Sequence, residues 1–147
     1  MTKVFGGFDP AKRGGGLAIY CRGEITSVRY IEGTPRMVAD ELRRYTFDLL
    51  AVEVPRVYPG SPADPNDILD LSLMSGAALG SSRNAVSVYP QSWKGSIPKT
   101  VHHKRIKGWL TENSLNVVNA CTYSISKRKT IDIWDAVGLA IWAAGRK

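Results

Sequence analysis

Four carboxylates stand out in the sequence because they fall in apolar segments. Asp9 ends the apolar stretch 3–9, and Glu53 lies within the nearly continuous apolar run LLAVEVP. Asp132 and Asp135 lie three residues apart in the apolar C-terminal segment. A buried charge is costly unless a cation compensates it, and four oxygen ligands suit Mg²⁺ or Mn²⁺ better than zinc. The combination therefore predicts a divalent metal site.

Each acid also has an explanation that involves no metal. Asp9 precedes Pro10 and could begin a turn or belong to a phosphate-binding loop. Asp132 could be a charge near a helix N-terminus, which the helix dipole favours. Glu53 and Asp135 are harder to explain in this way, because a charge among apolar neighbours needs a partner. The order strand-Asp, strand-Glu, helix Asp-x-x-Asp is what favours the metal.

The elements that must position these acids are those of a mixed α/β sheet. Strands are predicted at residues 3–9, 16–21, 25–31, 47–55 and 85–90. Helices are predicted at 34–46, 67–82, 97–113 and 127–145, with Ser96 capping the third and a further strand or extended segment at 116–124. The first three strands form an antiparallel meander, and the later strands arrive through helical crossovers.

In this arrangement Asp9 and Glu53 lie at the C-terminal ends of the first and fourth strands. Where these strands are parallel neighbours, both carboxylates reach the sheet edge at which α/β proteins bind their ligands. Asp132 and Asp135 have the i, i+3 spacing that places two side chains on one helix face, beside apolar residues that pack on the sheet. We therefore expect all four acids at one edge, with the glycines after Asp9 allowing a ligand to approach.

The bulk composition fits one globular domain. The chain has 147 residues, of which 44% are hydrophobic and 22% charged, enough for a sizeable core and unlike a disordered chain. No apolar run approaches the roughly 20 residues of a membrane span, and the N-terminus lacks the apolar core of a signal peptide. Cys21 and Cys121 are too few and too distant for a zinc site or disulfide framework. We expect a soluble cytoplasmic protein with small buried thiols.

Positive charge is concentrated in the second half of the chain. Residues 1–82 carry 9 Lys and Arg against 10 Asp and Glu, whereas residues 83–147 carry 11 against 3, and the net charge is +7. Two of the three acids in the basic half are Asp132 and Asp135. This distribution points to a polyanion as the partner, although a generally basic protein is the simpler alternative.

Three segments carry a resemblance to a known family: GGFDPAKRGGGLAIY, LLAVEVP and DIWDAVGLAIWAA. They resemble the active-site segments of the RuvC-type Holliday junction resolvases, which belong to the RNase H-like nuclease and integrase superfamily. Order, spacing and total length agree nearly from end to end. The resemblance implies a single RNase H-like domain over residues 1–147, with a five-stranded mixed sheet (strands 1–3 antiparallel, strands 1, 4 and 5 parallel) flanked by helices.

The resemblance also implies a function. Asp9 matches the first-strand aspartate of the family, Glu53 the fourth-strand glutamate, and Asp132 and Asp135 the paired positions on the last helix. The family activity is metal-dependent cleavage of four-way DNA junctions by a homodimer, through paired symmetric nicks that leave 5′-phosphate and 3′-hydroxyl ends. Two Mg²⁺ or Mn²⁺ ions about 3.5–4 Å apart would clamp the phosphodiester, with Asp9 between them.

The sequence departs from the family pattern in two loops. The first motif, usually Asp-Pro-Gly, here reads DPAKRGGG, with Lys12 and Arg13 inserted. The loop after the glutamate, PRVYPGSPADP, is rich in proline. Family members use an aromatic residue in this loop to help open the junction, and Tyr58 is the nearest candidate.

Basic and aromatic residues are predicted to contact DNA. Lys99 lies in the first turn of the helix 97–113, where the dipole disfavours a cation, so we assign it a catalytic contact with the scissile or adjacent phosphate. The predicted DNA contacts are Lys12, Arg13, Arg56, Tyr58, Trp93, Lys94, Lys99, Lys104, Arg105, Lys107, Lys127, Arg128 and Lys129. Each of these residues, taken alone, could simply be a solvated surface side chain. Their number makes that explanation less convincing for the group as a whole.

The remaining aromatic residues have ordinary explanations. Trp93 lies in the loop YPQSWKG and is the tryptophan assigned to DNA, by base stacking. Trp109, Trp134 and Trp142 suit core or dimer packing. His102 and His103 point about 100° apart on a helix, so they do not readily chelate one metal. One of them could assist catalysis, although a surface or packing role is the simpler explanation.

Three other functions remain open. One is a related RNase H-like nuclease that cuts branched or flap DNA in phage-type genome processing. Another is a non-catalytic DNA-binding module, although unneeded buried carboxylates would destabilise such a protein. The third is a phosphate-binding ATPase or kinase of the actin-like superfold, but that fold needs two domains and this chain is too short. The host would be a bacterial cell or a phage-infected one.

Overall fold

A computed structural model describes residues 2–145. Within these residues the chain forms five strands and six helices: β1 Val4–Ala11, β2 Gly14–Cys21, β3 Glu24–Glu32, α1 Pro35–Leu42, β4 Leu49–Glu53, α2 Pro65–Gly80, β5 Ala85–Val88, α3 Pro90–Trp93, α4 Lys99–Trp109, α5 Glu112–Thr122 and α6 Lys127–Ala143. The strands form one sheet in the order β3-β2-β1-β4-β5. Strands β1, β2 and β3 pair antiparallel, and β1, β4 and β5 pair parallel. The mixed five-stranded sheet predicted from the sequence is confirmed.

The register between β1 and β4 places two of the acids side by side. Phe8 of β1 is paired with Val52 of β4. The residues that follow them, Asp9 on β1 and Glu53 on β4, are therefore neighbours across the two strands. Successive side chains on a strand point to opposite faces. Phe8 and Val52 are buried on the face covered by α1 and α2. Asp9 and Glu53 therefore point to the opposite face, on which α6 packs.

The final helix brings the other two acids to that face. It begins after Ser126, whose side chain accepts a hydrogen bond from the Lys129 N–H. The side chains from Ile133 to Ile141 are buried, as expected for a helix that crosses the sheet centre. Asp132 and Asp135 lie in the first half of α6 and face the ends of β1 and β4.

Glycines allow α6 to lie unusually close to the sheet. A Cβ atom on Gly7 of β1 would overlap the carbonyl oxygen of Ala136, and one on Gly16 of β2 would lie 2.6 Å from that of Asp132. Gly14, Gly15 and Gly16 are buried residues of β2, each paired with β1 and β3. The expectation that these glycines let a ligand approach is therefore wrong. Gly16 makes room for α6, whereas a Cβ atom on Gly15 would meet Phe8 and Asp9 of β1, and one on Gly14 would meet the carbonyl oxygen of Ile31.

The segment 97–124 differs from its prediction. The helix predicted to run to 113 ends at Trp109, because Leu110 is extended (φ −84°, ψ 143°). Thr111 then caps a new helix by accepting a hydrogen bond from the Ser114 N–H. Residues 116–124 are thus mostly helical, not extended, and their β-branched Val117 and Val118 gave the misleading strand signal.

Two smaller predictions in the neighbouring segment are also wrong. Ser96 does not cap α4, which begins directly after Pro98, a residue with no polar side-chain group for capping. Trp93 lies at the end of the short helix α3 rather than in a loop. The segment 90–103 contacts α6 through the hydrogen bond of His103 to Asp135 and the packing of Trp93 against Gly138.

Two observations bear on the wider class of protein. Within residues 2–145 no helix combines the length and apolar character needed to span a membrane. Cys21 and Cys121 are both partly buried and carry free thiols.

Candidate active site

The four carboxylates line one cleft. It has a volume of about 230 Å³ and lies where β1, β4 and α6 meet. Its lining residues are Asp9, Pro10, Ala11, Glu53, Pro55, Leu71, Lys99, Arg128, Asp132 and Asp135. The fold therefore brings together all the acids that the sequence singled out, from three separate elements.

Asp9 and Asp132 are neighbouring carboxyl groups that both line this cleft. Asp9 is 6% exposed, and burial, followed by the charges of Glu53, Asp135 and Asp132, raises its pKa well above the usual range. Its carboxyl group hydrogen-bonds to that of Asp132, whose pKa is also raised, mainly by burial. Two interacting carboxyl groups are stabilised by a shared proton or by a nearby cation.

Glu53 is held by two residues that follow β5. The Trp93 indole Nε1–H donates to Glu53 Oε2 at 2.9 Å, and the Lys94 Nζ lies 3.4 Å from the same oxygen. Burial raises the pKa of Glu53, and the positive charge of Lys94 offsets part of that effect. The carboxylate is thus oriented by α3 and the residue after it.

Asp135 is almost fully buried and meets three donors. The His103 Nε2–H donates to Asp135 Oδ1 at 2.8 Å. The ammonium groups of Lys99 and Lys94 lie 3.5 Å and 3.8 Å from Asp135 Oδ2. Burial alone would raise the pKa of Asp135, but the hydrogen bond from His103 and the two lysine charges lower it below its ordinary value. Asp135 is therefore the member of the cluster that is most readily ionised.

The donor set fits a hard divalent cation in its chemistry. Four carboxylates supply the oxygen ligands that such a cation prefers. The pKa values of Asp9, Glu53 and Asp132 are raised mainly by burial, with neighbouring acids adding to the effect, and a bound cation would favour the charged form of each. The Lys94 ammonium lies between Glu53 and Asp135, a place that suits a cation. As arranged in this structure, no group of three or more His, Cys, Asp or Glu side chains within residues 2–145 could hold a metal ion.

Lys94 and Lys99 were both predicted to contact DNA, but their side chains differ in exposure and surroundings. The Lys94 side chain is only 16% exposed and lies among the carboxylates. Burial would lower the pKa of its ammonium, but Glu53, Asp135 and Asp9 together raise it, so Lys94 stays charged. Lys99 is the first residue of α4, half exposed at the rim of the cleft, where a phosphate could reach it.

The prediction that Trp93 stacks on bases is wrong. Its side chain is 1% exposed and belongs to the core beneath α4. The ring packs against α6 where Gly138 has no side chain, since a Cβ atom there would lie 2.5 Å from the indole. Of the other tryptophans, Trp134 is buried, Trp142 is partly buried, and Trp109 is exposed by 38%.

The remaining predicted DNA contacts lie at or beyond the rim. Arg128 lines the cleft, and Lys12 forms an ion pair with Asp67 at 2.5 Å. Arg56 lies over the ring of Tyr89 at 4.4 Å. The other members of the set are the exposed Arg13, Tyr58, Lys104, Arg105, Lys107 and Lys127, together with Lys129, which pairs with Glu32.

His103 is the site residue that the sequence analysis underrated. Its neighbour His102 is buried and packs edge-on against Trp93, with ring centroids 4.6 Å apart. One signal could have identified His103: it follows Lys99 by four residues, so the two share a face of α4. Both contact Asp135.

Comparison with known proteins supports the fold. No protein-family model and no curated protein matches the sequence. The solved structure described as Thermus thermophilus RuvC in complex with a Holliday junction substrate matches with a TM-score of 0.59 and 15% identity, over 98% of this chain and 95% of that one. A second Thermus thermophilus RuvC structure matches with a TM-score of 0.47 and 15% identity, over 96% and 93% of the two chains. The first match shows that this chain has the RNase H-like fold of RuvC.

Proposed function

We propose that this chain is a divalent-metal-dependent DNA endonuclease that resolves four-way junctions by paired symmetric nicks. The observation that carries the proposal is the convergence of Asp9, Glu53, Asp132 and Asp135 in one cleft of an RNase H-like fold. A protein that only bound DNA would gain nothing from buried, mutually repelling carboxylates, which cost stability. Their presence favours catalysis over a non-catalytic binding module.

The chain's own residues divide the work. Asp9, Glu53, Asp132 and Asp135 would hold Mg²⁺ or Mn²⁺, most simply two ions per site. When bound, these ions supply the Lewis acidity for phosphodiester hydrolysis to 5′-phosphate and 3′-hydroxyl ends. Lys99 and Arg128 lie at the rim of the cleft and would hold phosphate oxygens of the substrate. Pro55 and Leu71 form part of the apolar lining of the cleft.

The substrate is proposed to be branched DNA. The structural neighbour with the TM-score of 0.59 is described as a complex with a Holliday junction substrate. In this chain Lys99 of α4 and Arg128 of α6 line the cleft, and further exposed basic residues lie on both helices. Basic side chains of this kind bind the phosphate backbone. Flap or branch cutting in phage-type genome processing uses the same site chemistry and is the second candidate. Such a substrate places the protein in the cytoplasm of a bacterial cell or a phage-infected host.

Paired nicks require two active sites, so the proposal includes a homodimer. The face of α2 away from the sheet offers a surface for it. Leu69 and Leu73 are 61% and 64% exposed, and helical spacing places Gly76 and Gly80 on the same stripe. A Cβ atom built on either glycine would meet nothing within 4 Å in residues 2–145. Two such stripes could pack closely through apolar contact.

A panel of DNA substrates tests the proposed function. Labelled four-way junction, flap and linear duplex DNA are incubated with the protein in Mg²⁺ or Mn²⁺, and nicks are mapped on both strands. The proposal expects symmetric paired nicks in the junction and no cutting of linear duplex. Equal cutting of flaps and junctions would replace the resolvase with the broader branch-specific nuclease. Tight binding with no cutting of any substrate would remove the enzymatic function.

A further inference from the structure

We propose that Trp93 and His103 are positioning residues that aim Glu53 and Asp135 at the metal site. This inference rests on the proposed function and adds two residues to it. Each contributes one aromatic N–H to one carboxylate: Trp93 to Glu53 at 2.9 Å and His103 to Asp135 at 2.8 Å. Both come from the segment 90–103, which lies over the cleft end of α6.

The Trp93 donor is rigidly held. The indole is almost fully buried, packs into the space above Gly138, and meets His102 edge-on at 4.6 Å. An indole has one N–H donor and no acceptor, so the orientation of the ring determines which group accepts its hydrogen bond. Here it donates to Glu53 Oε2, the same oxygen that the Lys94 ammonium approaches at 3.4 Å, so Trp93 adds a directional hydrogen bond to that ion pair.

The two carboxylate oxygens of Asp135 have different partners, and His103 is the partner of one of them. Oδ1 accepts the hydrogen bond from His103, whereas Oδ2 faces the ammonium groups of Lys94 and Lys99. Because an ionised carboxylate can only accept, the hydrogen must reside on His103 Nε2. Asp135 is thereby fixed with Oδ2 directed to the side of the cleft where cations lie.

In a cluster of four acids, these two donors counteract the repulsion between the carboxylates. Like charges drive the carboxylates apart and toward solvent, so ligand orientation is lost unless neighbouring donors oppose that motion. Donors of this kind behind metal ligands typically contribute about 10–100-fold in metal affinity or activity. Trp93 and His103 have the required contacts, and both lie in helices, α3 and α4.

Substitutions that keep shape and remove the N–H test the inference. Trp93→Phe and His103→Leu remove the donors, His103→Gln keeps one, and Trp109→Phe is the matched control at an exposed tryptophan. Mn²⁺ affinity of each folded protein is measured by calorimetry, and the Mg²⁺ dependence of junction cleavage is measured in parallel. We expect Trp93→Phe and His103→Leu to weaken Mn²⁺ binding by about 10–100-fold. Saturating Mg²⁺ should restore most of the cleavage rate, and His103→Gln and Trp109→Phe should stay near wild type.

The outcomes distinguish this inference from the proposed function. Wild-type Mn²⁺ affinity in both donor-free variants would overturn the positioning role and leave the nuclease intact. Equal loss in His103→Leu and His103→Gln would also overturn the role of His103, because the glutamine retains an N–H. An absence of Mn²⁺ binding by the wild-type protein would overturn the proposed function and this inference together. Should Trp93→Phe fail to fold, the His103 pair decides the question alone.

Discussion

Gly16 of β2 lies directly against the main chain of Asp132 in α6. A Cβ atom on Gly16 would lie 2.6 Å from the Asp132 carbonyl oxygen, and Gly16 is also the residue paired with Asp9 across the β1–β2 ladder. The absence of a side chain at Gly16 thus determines how closely the first turns of α6 pack against the sheet beside Asp9. The distance between the two acids depends on this contact, which involves backbone rather than a flexible side chain.

The first prediction follows from this contact. Gly16→Ala should displace the start of α6 and destabilise the protein by roughly 1–3 kcal/mol, the usual effect of overpacking a filled space. Metal-dependent cleavage should fall further than stability alone explains, because Asp132 moves away from Asp9. Chemical unfolding and cleavage rates measure both effects. Gly108→Ala in α4 is the control, since its Cβ would meet nothing within 4 Å among the described residues. Equal behaviour of the two variants would contradict the prediction.

Asp9→Asn should stabilise the metal-free protein. The substitution removes a buried carboxylate whose pKa is raised by burial and by three neighbouring acids, so it relieves repulsion in the cluster. For a chain of this length, each 1 kcal/mol gained raises Tm by roughly 2–4 °C. Mg²⁺ should raise the Tm of the wild type and leave that of Asp9→Asn nearly unchanged. A variant with a lower metal-free Tm than wild type would count against the repulsive cluster.

The same cluster predicts how stability varies with pH. The pKa values of Asp9, Glu53 and Asp132 are raised in the folded protein, so the folded state holds protons that the unfolded chain has released. Their contribution to the free energy of unfolding therefore falls as pH rises from the unfolded values, about pH 4, through the raised folded values. The pKa of Asp135 is lowered, so its contribution has the opposite sign and is lost only in acid.

Comparison with Asp9→Asn isolates this effect from other titrating groups. Urea unfolding in EDTA is measured for wild type and variant from about pH 4 to about pH 8. The stability advantage of the variant should widen as pH rises, and Mg²⁺ should close the difference near neutrality. A stability difference that stays constant across the range would mean that Asp9 titrates normally.

Lys99 should act on the reaction more than on DNA affinity. Lys99→Gln removes a cation at the cleft rim, 3.5 Å from Asp135 Oδ2. We expect single-turnover cleavage to slow by about 10²-fold, as for loss of one charge-stabilising donor, with junction affinity changed less than that. Arg44→Gln, an exposed cation at the end of α1 on the other side of the sheet, is the control. An unchanged cleavage rate in Lys99→Gln would remove this residue from the catalytic set.

The proposed dimer makes a separate prediction. Leu69→Glu with Leu73→Glu should convert the protein to monomers in analytical ultracentrifugation, because four like charges would face one another across the paired α2 stripes. Met37→Glu, an exposed apolar position on α1, should leave the dimer intact. Mn²⁺ binding should survive in the monomers, whereas paired nicking should give way to single nicks. A wild-type protein that is already monomeric on junction DNA would refute the dimer.

The sequence predicted the site better than it predicted the segment that covers it. Asp9 and Glu53 could be placed because each lies toward the C-terminal end of an apolar strand, and strand order then puts them side by side. The first strand continues to Ala11, two residues beyond its predicted end at Asp9. Trp93 could not be placed, since its burial depends on the missing side chain at Gly138, a contact between distant parts of the chain. Helix α5 was missed because Val117 and Val118 favour strands locally, whereas packing of α5 on β3 decides the outcome.

Cleavage of a four-way junction by wild type and Asp9→Asn, in Mg²⁺ and in EDTA, tests the central claim most directly. The claim is that the four carboxylates hold the metal that cuts DNA. We expect wild type in Mg²⁺ to give symmetric paired nicks, and EDTA or Asp9→Asn to abolish them while junction binding by the variant persists. Cutting that continues in EDTA, or at wild-type rate in Asp9→Asn, would contradict the claim.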